Sequence, residues 1–225
     1  PVGYVVGEAK PYAATVLSYK PLRVGEYLYM EYYDYAVIAT VSSSVTGSSI
    51  ISEGIVDPKD VERLTKFVRG GERVYYHRGT VRILGQPVNG RLYIPPVPPP
   101  PGTEVFKAPR RLLSEIFSSS ADRVRIGTLL HEPSVEVRVD INKVVSKHLA
   151  ILAMTGMGKS NLVALLAKRV GELGGTTVIF DYHGEYTSMK LKTPPVVVHE
   201  TKLNPYRLSL EELSLLLGIK RNATR

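Results

Sequence analysis

The chain has 225 residues, of which 44% are hydrophobic and 22% charged, enough apolar material for a real core and for one large or two modest domains. Its formal charge of +8 suits a polyanionic partner, nucleic acid first, or an ordinary basic protein held soluble by its lysines, while the absence of cysteine excludes a disulfide framework and any thiolate metal site. No apolar run reaches the roughly 18 residues of a spanning helix and no signal peptide is visible, so no membrane role is expected and a reducing, cytoplasmic setting is.

Residues 1–94 read as an all-β domain with one short helix. Tyr27–Tyr32, Ala36–Val41, Arg73–Tyr76 and Thr80–Leu84 are strand-like, and Asn89-Gly90 is a strong turn signal. Short strands at this spacing suggest a small barrel. Between them, Asp57-Pro58 opens a helix with aspartate as N-cap and proline at the first helical position. Val61, Leu64 and Val68 share one face of it, and Gly70-Gly71 ends it. Arg63, Lys66 and Arg69 line another face, which reads as solvated.

Pro95-Pro96-Val97-Pro98-Pro99-Pro100-Pro101-Gly102 marks the clearest boundary, and residues 95–107 read as a stiff interdomain linker. The second domain then runs over 108–225. A short helix is expected from Ala108-Pro109 to Phe117, and Val135–Asp140 alternates as a strand. His148–Ala153 is an apolar run of buried-strand type. A helix follows from Lys159 to Leu173, closed by Gly174-Gly175, and then a second strand, Thr176–Asp181. Ser209-Leu210-Glu211-Glu212 is a capping box ahead of a leucine-rich helix. The two halves together give α/β plus all-β.

Between the expected strand and helix stands Ala153-Met154-Thr155-Gly156-Met157-Gly158-Lys159-Ser160. It meets the phosphate-loop pattern G-x-x-x-x-G-K-[ST] except for alanine at the first position. The chemistry follows from the backbone. Gly156 and Gly158 let the loop wrap so that successive N–H groups aim at one anion, and the helix N-terminus adds partial positive charge. The nucleotide-binding candidates are Thr155, Gly156, Met157, Gly158, Lys159, Ser160 and Asn161. Lys159 reaches the β- and γ-phosphates, and the Ser160 hydroxyl ligates Mg²⁺. ATP and Mg²⁺ are the expected cofactors.

Asp181-Tyr182-His183-Gly184-Glu185-Tyr186 follows the second expected strand, at the carboxyl end where parallel sheets place ligands. Asp181 reads as a Walker B-type acid holding Mg²⁺ through water, with a turn-capping aspartate as the alternative. Glu185 is a candidate for orienting the attacking water or sensing the γ-phosphate. Turn and packing roles stand beside that reading for Glu185 and for His183. The catalytic set is therefore Lys159, Asp181 and Glu185, and the metal set Ser160 and Asp181.

Ile126–Leu130, Val139–Lys143, the run from Lys147 to Asn161 and Phe180–Tyr186 together resemble the HerA family of archaeal hexameric DNA translocases, related to FtsK and the conjugation ATPases. Gly3–Gly7 and Lys20–Tyr27 resemble that family's N-terminal barrel. The resemblance implies a barrel followed by a RecA-like ATPase core, assembled as a homo-hexameric ring around double-stranded DNA. It implies a NurA-type nuclease docked on the barrel side, and DNA end resection in double-strand break repair. By position it adds Lys147 as a basic residue approaching the nucleotide. Two departures bear on activity. No Asp-Glu Walker B motif and no arginine finger region follow Asp181, so the segment is expected to be an N-terminal portion that does not turn over ATP alone. The alternatives are a non-enzymatic docking and assembly platform for a nuclease, and a phosphate-loop kinase acting on a small molecule.

Overall fold

The computed structural model describes residues 1–68, 75–89, 91–118, 123–189, 196–199 and 204–217. The expected features at Arg69, Gly70-Gly71, Arg73-Val74 and Gly90 lie outside the described residues. The chain divides into two compact units, Pro1–Leu152 and Ala153–Arg225.

In the first unit, alternating burial along each strand builds a closed barrel. Strands β1 (Gly3–Lys10), β2 (Ala13–Ser18), β3 (Tyr27–Tyr32), β4 (Tyr35–Ser48), β5 (Tyr75–Val88), β6 (Arg91–Tyr93) and β7 (Glu104–Lys107) pair in the order β2-β1-β7-β3-β4-β5-β6. A further antiparallel pairing of β2 with β5 closes a ring of six, leaving β6 as an appendage of β5. Helix α1 (Pro58–Val68) lies between β4 and β5, and Asp57 accepts the Lys59 N–H as its sequence predicts. Register shifts in β4 near Ile38 and Val41 are the irregularities that bend a long strand around a small barrel.

Inward residues from every wall meet in one core. Val5, Val16, Leu28, Met30, Val37, Ala39, Val41, Val81, Ile83 and Val105 are all almost fully buried. Each such side chain larger than alanine contributes about 1.5–3 kcal/mol relative to exposure, before entropy is set against it. Ile38 breaks the alternation, being buried between buried Val37 and Ala39. It points out of the barrel into a second, smaller core with Leu113, Leu129 and Val135. Those residues come from helix α2 (Arg110–Phe117) and the hairpin of β8 (Arg123–Leu129) and β9 (Glu132–Asp140), which cover that part of the wall. Tyr27 and Phe117 seal it edge to face at 5.2 Å. Helix α3 (Ile141–Ser146) follows, its N-cap Asp140 accepting the Lys143 N–H.

The proline-rich stretch is no free linker. Pro99 is fully buried, the Tyr32 hydroxyl donates to Val97 O at 3.1 Å, and Gly102 N–H donates to Val5 O. Residues 104–107 are β7, inserted between β1 and β3. The barrel therefore extends to Lys107 rather than ending near residue 94. Proline lacks a donor to leave unpaired, so such a strap lies against a sheet wall without needing a ladder.

The second unit holds helices α4 (Lys159–Glu172) and α5 (Leu210–Leu216). The Ser209–Glu212 capping box forms as its sequence predicts. The strands expected at His148–Ala153 and Thr176–Asp181 do not form. Neither segment has a ladder partner among the described residues, and Leu152, Val178 and Phe180 are 92%, 75% and 96% exposed. An apolar run of buried-strand type becomes a strand only beside neighbours that take its hydrogen bonds and cover both faces. The α/β layering of this half is thus absent from the described residues, although its helices are where the sequence puts them.

Candidate functional site

The glycine loop takes the conformation its sequence predicts. Gly156 and Gly158 sit at φ +83° and +87°, and a Cβ at either would meet no atom within 4 Å. Backbone conformation, not crowding, is therefore what demands glycine there. Met157 N–H donates to Met154 O at 3.2 Å and closes the turn. Gly158 is the left-handed N-cap of α4, and the first intrahelical bond runs from Leu162 N–H to Gly158 O at 3.0 Å. The N–H groups of Lys159, Ser160 and Asn161 are consequently the open donors at the start of a 14-residue helix. Helix polarity makes that end attractive to an anion. Thr155, Gly156, Met157, Lys159 and Asn161 are exposed, and no acidic residue lies in the first turn.

The two carboxylates downstream take different places. The Ser160 hydroxyl donates to Glu185 Oε2. Asp181 is bound up with its own loop: Oδ2 accepts the Tyr186 N–H at 2.8 Å and Oδ1 the Glu185 N–H at 3.1 Å. The Tyr186 N–H above all, helped by those of Glu185, Gly184 and His183, holds the Asp181 carboxyl below the usual carboxylate range against an opposing desolvation. Gly184 at φ +72° gives the loop its reversal. Asp181 is thus the capping residue of this turn, and Glu185 the acid that meets Ser160. The His183 ring stacks edge-on against Tyr182 at 5.0 Å.

Among the described residues no cluster of three or more metal-ligating side chains occurs. A magnesium ion bound with a nucleotide needs few protein ligands, because water and phosphate oxygens supply the rest. Ser160 Oγ with the adjoining Glu185 carboxylate fits that requirement, and the open donors of Lys159, Ser160 and Asn161 fit a phosphate. Lys147 stands at the C-cap of α3 in the first unit, exposed, its N–H bonded to Lys143 O. The Ser160–Glu185 contact spans 25 residues and carries no signature that sequence spacing would reveal.

Comparison with known proteins places the two halves separately. Residues 2–86 match the family described as HAS barrel domain, and residues 124–225 the family described as helicase HerA, central domain. A DNA double-strand break repair helicase HerA of Sulfurisphaera tokodaii is 40% identical over 223 residues, covering 99% of this chain and 43% of that protein. The protein of the same name from Saccharolobus solfataricus is 37% identical over 222 residues, with 99% and 43% covered. A probable helicase of Methanocaldococcus jannaschii is 36% identical over 230 residues, covering 100% of this chain and 44% of that protein. The chain thus spans less than half the length of these relatives.

Proposed function

This chain belongs to the HerA helicase family, and from that premise we propose that it carries the barrel and the nucleotide-binding loop of an ATP-driven motor on double-stranded DNA, acting in double-strand break repair. The observation that carries the reading is the loop itself, with two left-handed glycines, open N–H donors on Lys159, Ser160 and Asn161, and Glu185 on the Ser160 hydroxyl.

In this reading the backbone donors hold the β- and γ-phosphates, Lys159 neutralises their charge, and Asp181 keeps the 181–186 turn in shape so that Glu185 stays beside Ser160. Glu185 orients water and accepts its proton. ATP, when bound, supplies the phosphoryl bond whose hydrolysis drives movement, and Ser160, with Asp181 through water, would hold its magnesium. Lys147 is proposed to approach the nucleotide, a homo-hexameric ring to encircle the duplex, and a NurA-type nuclease to dock on the barrel side. These three rest on the family resemblance alone.

The test is ATP turnover by the full-length protein with and without linear duplex DNA, the Lys159→Ala variant alongside. Duplex-stimulated turnover that falls by orders of magnitude in the variant supports a motor. Equal turnover in both proteins, or none in either, removes the motor reading and leaves the barrel as a docking platform. Nuclease capture by the Lys159→Ala protein would then assign that role.

A further inference from the structure

The barrel segregates its charge. None of β2, β4 and β5 contains an aspartate or glutamate, although β1, β3 and β7 carry Glu8, Glu31 and Glu104. These three acid-free strands are neighbours, β5 being paired with β2 on one side and β4 on the other. Their outward residues are fixed by the alternation along β5, where Gly79, Val81 and Ile83 are buried and Arg78, Thr80 and Arg82 are exposed.

Register sets out the face row by row. Leu17, Arg78 and Val45 lie abreast, then Thr15, Thr80 and Ser43, then Ala13, Arg82 and Thr40. Lys10 of β1 stands opposite Ala13 and extends the last row. Directly opposed residues share a face, so Lys10, Arg78 and Arg82 border a patch of small hydroxyl side chains. Among the described residues none of the three cations has a carboxylate partner at ion-pair distance. By contrast Arg63 and Lys66 of α1 are neutralised by Asp60 at 3.2 Å and Glu62 at 2.6 Å. Arg78 is instead held against the Tyr76 ring, its guanidinium 5.6 Å from the centroid, and that ring in turn covers Gly47. A guanidinium braced by an aromatic face loses less freedom on engaging a phosphate.

We propose that the outer face of β2, β5 and β4 is a nucleic-acid contact of this protein, which takes the phosphodiester backbone of duplex DNA through Arg78, Arg82 and Lys10. The charge complementarity is to a polyanion. Arg78 and Arg82 stand about 13 Å apart along the strand, about four times the roughly 3.4 Å axial spacing of charges on one DNA strand, so the two cations reach separate, non-adjacent phosphates. Assigned to phosphates, these cations position DNA without selecting sequence, so binding is expected to be equal for unrelated sequences. The proposal does not depend on the glycine loop, because it concerns a surface of the first unit and needs no nucleotide.

The experiment is fluorescence anisotropy of a labelled duplex titrated with full-length protein, without nucleotide, over a series of salt concentrations. Arg78→Ala/Arg82→Ala is expected to weaken binding roughly tenfold and to reduce the log–log salt slope by about 2, equally for duplexes of unrelated sequence. Arg63→Ala removes one formal charge whose guanidinium is already paired, and is expected to leave both quantities unchanged. Arg78→Lys/Arg82→Lys keeps the charge and is expected to keep the slope. Both arginines are exposed, so an unchanged melting temperature should accompany the loss. Parental affinity and slope in the double alanine variant would overturn the proposal. So would a loss matched by Arg63→Ala, which would reduce the effect to net charge. Loss of an acidic protein partner with duplex binding intact would also overturn it and give the face to a protein.

Discussion

Ser160 gives its hydroxyl hydrogen to the carboxylate of Glu185, 25 residues further along the chain. The closing residue of the glycine loop and the acid of the following turn are therefore one unit. Glu185→Gln keeps the shape and removes the charge. In the full-length protein it is expected to lower ATP turnover by about 10²-fold or more while nucleotide still binds, since general-base assistance is typically worth that much. Steady-state turnover beside titration of a fluorescent ATP analogue separates the two. Parental turnover would assign Glu185 to holding Ser160 and nothing else.

Gly158→Ala tests the loop conformation. A Cβ there meets nothing within 4 Å, so the whole effect comes from φ +87°. A left-handed alanine costs roughly 1–2 kcal/mol, and relaxing it would turn the donors of α4 off the phosphate. Affinity for the same analogue is expected to fall at least tenfold, the equivalent of about 1.4 kcal/mol. An unchanged affinity would mean that the loop rebuilds itself around the nucleotide.

Tyr33 occupies the tight β3–β4 turn at φ +49°, a conformation that suits asparagine and resists bulky side chains, and it is 71% exposed. Its ring meets only Tyr32 at 6.0 Å among the described aromatic pairs. Tyr33→Asn is expected to stabilise the barrel by about 0.5 kcal/mol, strain relief of about 1 kcal/mol exceeding the lost ring contact. Differential scanning calorimetry should show the barrel transition moving up by a few degrees. A lower transition would show that the tyrosine contributes more than its position costs.

Tyr29 and Tyr32 are both pushed up to about 12, first by burial, with Glu31 adding to the shift at Tyr29 and Tyr35 at Tyr32. A tyrosine raised in the folded state favours folding fully below its unfolded value near 10. That contribution is lost as pH climbs through about 12. Alkaline unfolding followed by circular dichroism should therefore run across pH 10–12. Tyr32→Phe should flatten that dependence while costing about 1 kcal/mol at neutral pH, through loss of the bond to Val97 O. An equally steep profile in the variant would place the titration on Tyr29.

Ile38→Ala should uncouple two parts of the first unit. The side chain is fully buried but faces the small core with Leu113, Leu129 and Val135. The loss is expected to be about 2–5 kcal/mol, felt by α2 and the β8–β9 hairpin rather than by the barrel interior. Hydrogen exchange should show faster opening of the hairpin amides with β1, β2 and β7 protected as before. Uniform loss of protection would mean that barrel and hairpin unfold together.

What sequence could reveal divides along the range of the interaction. Tyr27–Tyr32, the helix from Pro58, the glycine loop and the Ser209 capping box are local patterns, and each stands where its residues predict. β7 was hidden because Glu104–Lys107 is four residues long beside a proline run, and only its place between β1 and β3 makes it a strand. The segments His148–Ala153 and Thr176–Asp181 have the composition of buried strands, but composition cannot supply the neighbouring ladder. At the site, the loop was legible in its glycines. The choice between Asp181 as capping residue and as metal acid was not, since both uses need an aspartate at the same position. The hydrogen bonds from Tyr186 and Glu185 show the capping use, which a contact to magnesium through water can accompany.

The buried proline strap has a mechanical consequence. A free spacer over 95–107 would let its two ends drift apart by up to roughly 40 Å. Pinned by Pro99 in the wall and by β7 in the ring, this stretch has no slack. The chain leaves the barrel already taut at Lys107 and enters α2 within a few residues. A pull applied at β9 therefore reaches the barrel wall without first straightening a tether, and the first unit responds as a stiff block rather than as two beads on a string.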